Sequence, residues 1–414
     1  MHERTKTHLP LSLTAWLCVA GVLSLFLLPA ASFARALRVG PGKTYSTVRA
    51  ASQAALNGDS VLVDAGTYND DVTEWTANNL VIRGVGGRAY MRSSGVVEQD
   101  KGIWLFYGTN LTVENIEFSG ATSSGLNGAG IRFDTPGKLI LRNCYFHDNE
   151  DGILGGADSL LIENSIFDHN GYGDGQSHNM YIHGRTFTLR YSYTHRASLG
   201  HNVKTRCLNN YILFNRIMDE ADGTASYSID IPDCGRSYII GNIIEQGPNT
   251  SNSSMIRYGA ESQLNGVLDL YVVNNTLVNN LGSGTFVRLR DGTTAKVLNN
   301  IFYGAGTNWS GVATVTASNN YYETSFNNSP KFANPGSYDF RLTAGSPLSI
   351  VNAAMAPGIS ATGYLLTPTS QYVYDALGTT RSLLGLLDIG AFEYGAGGGP
   401  DVVSPAAVRD LRYR

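Results

Sequence analysis

The chain has 414 residues, 43% of them hydrophobic and 15% charged, with 47 glycines and a formal net charge of −4. Low charge and abundant glycine suit an all-β fold with many tight turns. A mildly acidic chain gives no bulk reason to bind nucleic acid.

The N-terminus reads as a secretory signal: Arg4, Lys6 and His8 precede the apolar run Leu9 to Leu28, and Ala34-Arg35-Ala36 supplies an A-x-A cleavage site. Cleavage after Ala36 assigns residues 1–36 to the signal and leaves no membrane segment; an uncleaved anchor is the rival reading, because the apolar run approaches spanning length. The expected location is periplasmic or secreted. Loss of Glu3, Arg4, Lys6 and Arg35 leaves 27 basic against 33 acidic residues, a mature charge of −6. Cys144, Cys207 and Cys234 remain. An odd number in an exported chain implies at least one free thiol or an intermolecular bond. Cys207 and Cys234 lie one repeat apart and could face each other across adjacent coils, or both be buried small hydrophobes.

Residues 45–56, Tyr45 through Ala50-Ala51 to Leu56, predict a short amphipathic helix before the strand Val61-Leu62-Val63. Short β-type runs then recur with Asn near one position: Asn115, Asn143, Asn164, Asn215, Asn242, Asn275 and Asn300, with Tyr191 in the vacant place. The spacings are 28, 21, 27, 24, 27, 33 and 25 residues, which means a repeat architecture. Asn tolerates left-handed backbone and can form ladders between successive coils. A solenoid also explains how so long a chain avoids splitting into domains. Segment 330–394 changes character and reads as a C-terminal cap, and 395–414 as a flexible tail. The body is therefore residues 37–394, and a monomer is expected.

The phrase His178-Asn179-Met180-Tyr181-Ile182-His183 is echoed by His201-Asn202-Val203-Lys204-Thr205-Arg206. Aligning these with Gly130–Asp134, Gly152–Gly156, Ser228–Pro232, Met255–Gly259 and Phe286–Arg290 puts apolar residues at the second and fourth places, facing inward. The third and fifth face out by the alternation of a strand. The third place reads Arg132, Leu154, Tyr181, Lys204, Asp230, Arg257 and Arg288; the fifth includes Asp134, His183, Arg206 and Arg290. With coils about 4.8 Å apart, Tyr181 to Arg288 forms one patch about 19 Å long.

The opening Tyr45 to Tyr68, with Gly58-Asp59-Ser60-Val61 and Ala65-Gly66-Thr67-Tyr68, followed by Asn-marked coils, resembles the right-handed parallel β-helix superfamily of pectate lyases and related polysaccharide-active proteins. The resemblance covers roughly Leu37 to Tyr394 and implies the fold more than the reaction, since this scaffold carries lyases, hydrolases, epimerases, esterases and adhesins. Asn202-Val203-Lys204-Thr205-Arg206 followed by Asn209 is similar to the strand carrying the catalytic lysine in the chondroitinase B and alginate lyase family. That family has a catalytic arginine on the next coil, where this chain has Asp230, with Arg257 the nearest arginine in the column. Its calcium-binding acidic cluster is not evident here.

The face suits an acidic, uronate-containing polysaccharide. In β-elimination a base removes the proton beside a carboxylate, which must be neutralised, and an acid assists the leaving oxygen. Lys204 is the expected base, Tyr181 or His183 the proton donor, and Asp230 and Arg257 complete the catalytic group. Arg206, Arg288, Arg290, His178, His201 and Glu261 are expected to bind substrate, arginine being suited to bidentate carboxylate contact. Exposed cations also serve to prevent edge aggregation, and Asp230 could instead join Lys204 and Arg257 in a structural ladder. No cofactor or metal set is predicted, apart from a Ca²⁺ option at Asp148, Glu150 and Asp151. The alternatives are hydrolysis by Asp230 with Asp233 or Asp222, a C5-epimerase sharing the first proton abstraction, and a non-catalytic binder using Tyr181 and Tyr258 as platforms.

Overall fold

The computed structural model describes residues 34–396, so the expected signal up to residue 33 and the tail from 397 lie outside the described residues. Each coil supplies up to three short strands, and each strand pairs in parallel with its counterpart one coil away. Three parallel sheets therefore run the length of a right-handed parallel β-helix.

The first sheet carries the predicted face. Its strands include the first half of Met180–Arg190, then Val203–Thr205, Ile229–Ile231, Ser254–Tyr258 and Thr285–Leu289. The long strand Met180–Arg190 bends into the second sheet, whereas later coils break at this corner, giving Val203–Thr205 and Asn209–Leu213 separately. Inward residues such as Ile182, Val203, Ile229 and Ile256 are fully buried. Like residues stack inside: the Phe118 and Phe146 rings lie 5.1 Å apart, and those of Phe146 and Phe167 4.7 Å apart. Burying such rings at stacking distance adds to the apolar stabilisation given by the aliphatic interior.

The predicted Asn column resolves into two columns one residue apart. Asn115, Asn143, Asn164, Tyr191, Phe214, Gly241, Asn274 and Asn299 occupy the left-handed corner, with φ between 50° and 68°. Asn215, Asn242, Asn275 and Asn300 are the next residue along and are buried. Each donates from Nδ2 to the following Asn Oδ1 at 3.0 Å, ending at Asn320. The same Oδ1 atoms accept the backbone N–H of the preceding coil's Asn at 2.9 Å. The true register thus pairs Ser192 with Asn215, 23 residues on.

At the N-terminal end the predicted helix forms over Val48–Ala54, with Thr47 as N-cap and the Asp71 carboxylate accepting the N–H of Val48 and Arg49. Burying Val48 and Ala51 covers the first coil. Segment 330–394, expected as an end cap, lays Phe332, Phe340, Ile350, Tyr372, Ile389 and Phe392 along the outer flank of the third sheet, against Tyr193, Met218, Ile243, Val278 and Ile301. The corner asparagines also tie it down: Asn164, Asn274, Asn299 and Asn319 donate to the carbonyls of Ala376, Asp388, Met355 and Ala353. Cys144, Cys207 and Cys234 are buried thiols; Cys207 and Cys234 are not joined.

Candidate active site

The pairing register places Leu154, Tyr181, Lys204, Asp230, Arg257 and Arg288 opposite one another in successive coils, as the alignment predicts. Their surroundings differ from a simple solvated row. The Lys204 side chain is only 12% exposed and lies near Glu261, at 3.8 Å. Its Nζ sits 4.7 Å above the Tyr181 ring. Burial lowers the proton affinity of this amine; Asp230 and Glu261 oppose the shift and Arg206 adds to it.

Arg206 acts as a clamp. Its Nε donates to the Tyr181 hydroxyl at 2.7 Å, one Nη to Asp233 at 2.9 Å and the other to Glu261 at 2.6 Å. Arg206 and Glu261, expected to bind substrate, are thus paired with each other and fix the phenol. The Tyr181 oxygen accepts in this bond, which leaves its O–H group to donate elsewhere.

Asp230 corrects the expectation of an outward, solvated carboxylate. It is 2% exposed, and its Oδ1 has no hydrogen-bond partner. Burial pushes it up to about 7, although Lys204, Arg206 and Arg257 pull the other way. A carboxylic acid poised there can hold or release a proton near neutral pH.

His178 and His201 were also expected to contact substrate, yet both are buried. They belong to a column one place before the strands, which runs Asp151, His178, His201, Tyr227. Each member accepts the backbone N–H of the next: Asp151 Oδ1 from His178 at 2.7 Å, His178 Nδ1 from His201 at 3.0 Å, and His201 Nδ1 from Tyr227 at 3.2 Å. The His178 and His201 rings stack at 4.6 Å, and those of His201 and Tyr227 at 5.0 Å. A backbone N–H can only donate, so both imidazoles are neutral and carry their proton on Nε2. Burial lowers the proton affinity of His178 well below the usual range and brings His201 to about 3. His201 Nε2 then lies 3.5 Å from Asp230 Oδ2. His201 thus faces Asp230, and His178 stacks behind His201. Sequence reasoning missed Tyr227 and this use of Asp151; the signal was the residue preceding each aligned strand.

His183 is exposed and lies over Gly156, where any Cβ would meet its ring at 2.2 Å. Arg257, Arg288 and Arg290 line an open cleft of about 450 Å³. Tyr258 is fully buried and bonds the Gly235 carbonyl at 2.7 Å, so it offers no platform to a sugar. The hydrolytic pair does not assemble: Asp233 is occupied by Arg206 and the Ser262 hydroxyl, and Asp222 approaches Arg196, itself paired with Asp168 on the third sheet. The acidic turn does not converge either. Asp148 faces His147, Glu150 accepts N–H groups of Ser123 and Gly128, and Asp151 is in the column above. Among the described residues, no group of three His, Cys, Asp or Glu side chains is arranged to hold a metal ion.

No protein-family model matches the chain, and no curated protein matches it by sequence. Solved structures do match. Pectate lyase Pel9A aligns over 88% of this chain and 97% of its own, at 16% identity and a TM-score of 0.52. ORF18 of Geobacillus virus E2 aligns over 70% and 61% at 14% identity, TM-score 0.42. A mutant of the PL6-family alginate lyase AlyGC aligns over 70% and 40% at 14% identity, TM-score 0.36. The chain shares the fold of the first of these, a right-handed parallel β-helix.

Proposed function

We propose that the protein is an exported lyase, periplasmic or secreted, that cleaves a uronate-containing polysaccharide by β-elimination. The observation that carries this reading is the Lys204 amine, held over the Tyr181 ring with its proton affinity lowered by burial. An amine whose proton affinity burial lowers, beside a phenol, forms a base and acid pair on one face. Lys204 takes the proton next to the sugar carboxylate; the electron pair left behind forms the carbon–carbon double bond as the glycosidic carbon–oxygen bond breaks. Tyr181 gives its proton to the leaving oxygen, and the Arg206 guanidinium at 2.7 Å stabilises the phenolate that remains. Arg257, two coils from Lys204, neutralises the carboxylate so that the adjacent carbon becomes acidic. Proton return from Lys204 to Tyr181 resets the pair.

The fold shared with pectate lyase Pel9A agrees with this reading without naming the sugar. A C5-epimerase would use the same first step, returning a proton instead of breaking the bond. The test is ultraviolet absorbance of the unsaturated product when purified protein is incubated with polygalacturonate, alginate, glycosaminoglycans and bacterial exopolysaccharides, with and without EDTA. Rising absorbance supports the lyase and EDTA reports any Ca²⁺ requirement; reducing ends without absorbance refute β-elimination.

A further inference from the structure

The β-helix handles stacked arginines in two ways. On the second sheet Arg83, Glu114, Arg142, Glu163 and Arg190 alternate in sign from coil to coil, with contacts such as Arg142 to Glu114 at 3.2 Å and to Glu163 at 2.8 Å. In that ladder every arginine has a carboxylate partner. Arg257 and Arg288 sit directly opposite each other on the first sheet with no such alternation. Arg290 joins them from the end of the same strand, and among the described residues no carboxylate comes within ion-pair distance of any of the three. Their contacts are backbone carbonyls: Arg257 to Arg288 O at 3.3 Å and Arg290 to Gly259 O at 3.2 Å. Asp291 is the one acidic residue of the cleft, and its Oδ1 accepts the Val312 N–H at 2.8 Å. Like charges opposite one another repel, and the charge of Arg257 is opposed first by burial and then by Arg288.

A cluster of cations that the fold pairs elsewhere and leaves open here is built for an anion from outside. The geometry points to a distal subsite in which Arg288 and Arg290, one coil beyond Arg257, hold the anionic group of a sugar unit remote from the bond being cleaved. Three coils separate Arg288 from Lys204, about 14 Å. The polymer therefore lies along the helix axis from Lys204 toward the C-terminal coils, and its charged groups must continue past the reacting unit. Gly259 keeps the cleft open, since a Cβ there would meet the Arg290 side chain at 2.6 Å. The shared chemistry is a sugar carboxylate or sulfate presented to planar guanidinium donors. This inference rests on the reading that the protein acts on an acidic glycan.

The test is affinity electrophoresis of the full chain carrying Lys204→Ala, so that no polymer is consumed, through gels containing polygalacturonate, alginate, chondroitin sulfate, dextran sulfate or neutral dextran. Arg288→Ala with Arg290→Ala is expected to weaken binding to the anionic gels at least tenfold, with no retardation in dextran. Arg288→Glu, at an exposed position, should do the same. Stronger retardation by the uronates assigns the subsite to carboxylate, and stronger retardation by the sulfated gels assigns it to sulfate. Equal retardation of parent and variants, or no retardation of the parent by any polyanion, overturns the subsite. Absorbance assays on the protein with Lys204 intact test the lyase reading separately: no unsaturated product together with arginine-dependent binding would remove the reaction and leave the subsite standing.

Discussion

Asp230→Asn removes a titratable group while keeping its shape. In the folded protein burial raises this carboxyl to about 7, against an ordinary value of 3.8. Between those values the folded state holds the proton more tightly than the unfolded chain. Its contribution to stability is therefore fully present below pH 4 and is lost as pH rises through 7. A gap of about three pKa units at 1.36 kcal/mol each bounds the loss at about 4 kcal/mol. Asn does not titrate, so the stability of the variant relative to the parent should rise by up to about 4 kcal/mol between pH 4 and pH 8. The change in the difference with pH is the useful quantity. Altered packing or a changed hydrogen bond with His201 shifts the difference at all pH values alike. Other carboxyls raised by burial, among them Asp219 at about 6 and Glu220 and Glu245 at about 8, are present in both proteins and cancel. Urea unfolding at half-unit pH steps measures it. Curves for parent and variant that stay parallel within about 0.5 kcal/mol would show that Asp230 is solvated and ionised throughout, and would refute the argument that it is a buried acid.

Lys204→Ala should lower lyase activity by at least about a hundredfold, the scale of a lost general base, while circular dichroism and the unfolding midpoint stay near those of the parent; undiminished activity in a folded variant would exclude Lys204 as the base. His201→Phe keeps the stack but leaves the Tyr227 N–H without its acceptor, so unfolding should show a loss of about 1–3 kcal/mol, and ¹⁵N shifts of the parent protein should show His201 Nδ1 unprotonated down to about pH 4. Asn242→Ala withdraws four hydrogen bonds, to Asn215 N, Asn215 Nδ2, Ile212 O and Asn275 Oδ1. Of these, the Asn215 N–H is left with no partner, and a cost of about 3–6 kcal/mol is expected in urea unfolding; a loss below about 1 kcal/mol would mean that water replaces the ladder.

The face was legible in the sequence because parallel strands of a solenoid add coil upon coil, and a period-two pattern anchored on apolar residues such as Ile182, Val203 and Ile229 leaves no freedom in register. Tyr181, Lys204, Asp230, Arg257 and Arg288 follow from that rule alone. Outward orientation did not fix exposure, however. Asp230 points away from the core, yet it is 2% exposed, and the His201–Tyr227 stack lies beside it in a column the strand pattern does not reach. The Asn series misled by one residue for a related reason. Asn serves both the left-handed corner, as at Asn143, and the buried ladder, as at Asn242, and composition does not separate a residue chosen for its φ from one chosen for its amide. Charge pairing was the least readable level. Arg206 and Arg290 hold the same place in their strands, but one is neutralised by Asp233 and Glu261, which loops bring in from 27 and 55 residues away, and the other reaches only the Gly259 carbonyl. Local sequence gives the cations of the face; the folded loops divide them into those that hold Tyr181 and those left open to a polyanion.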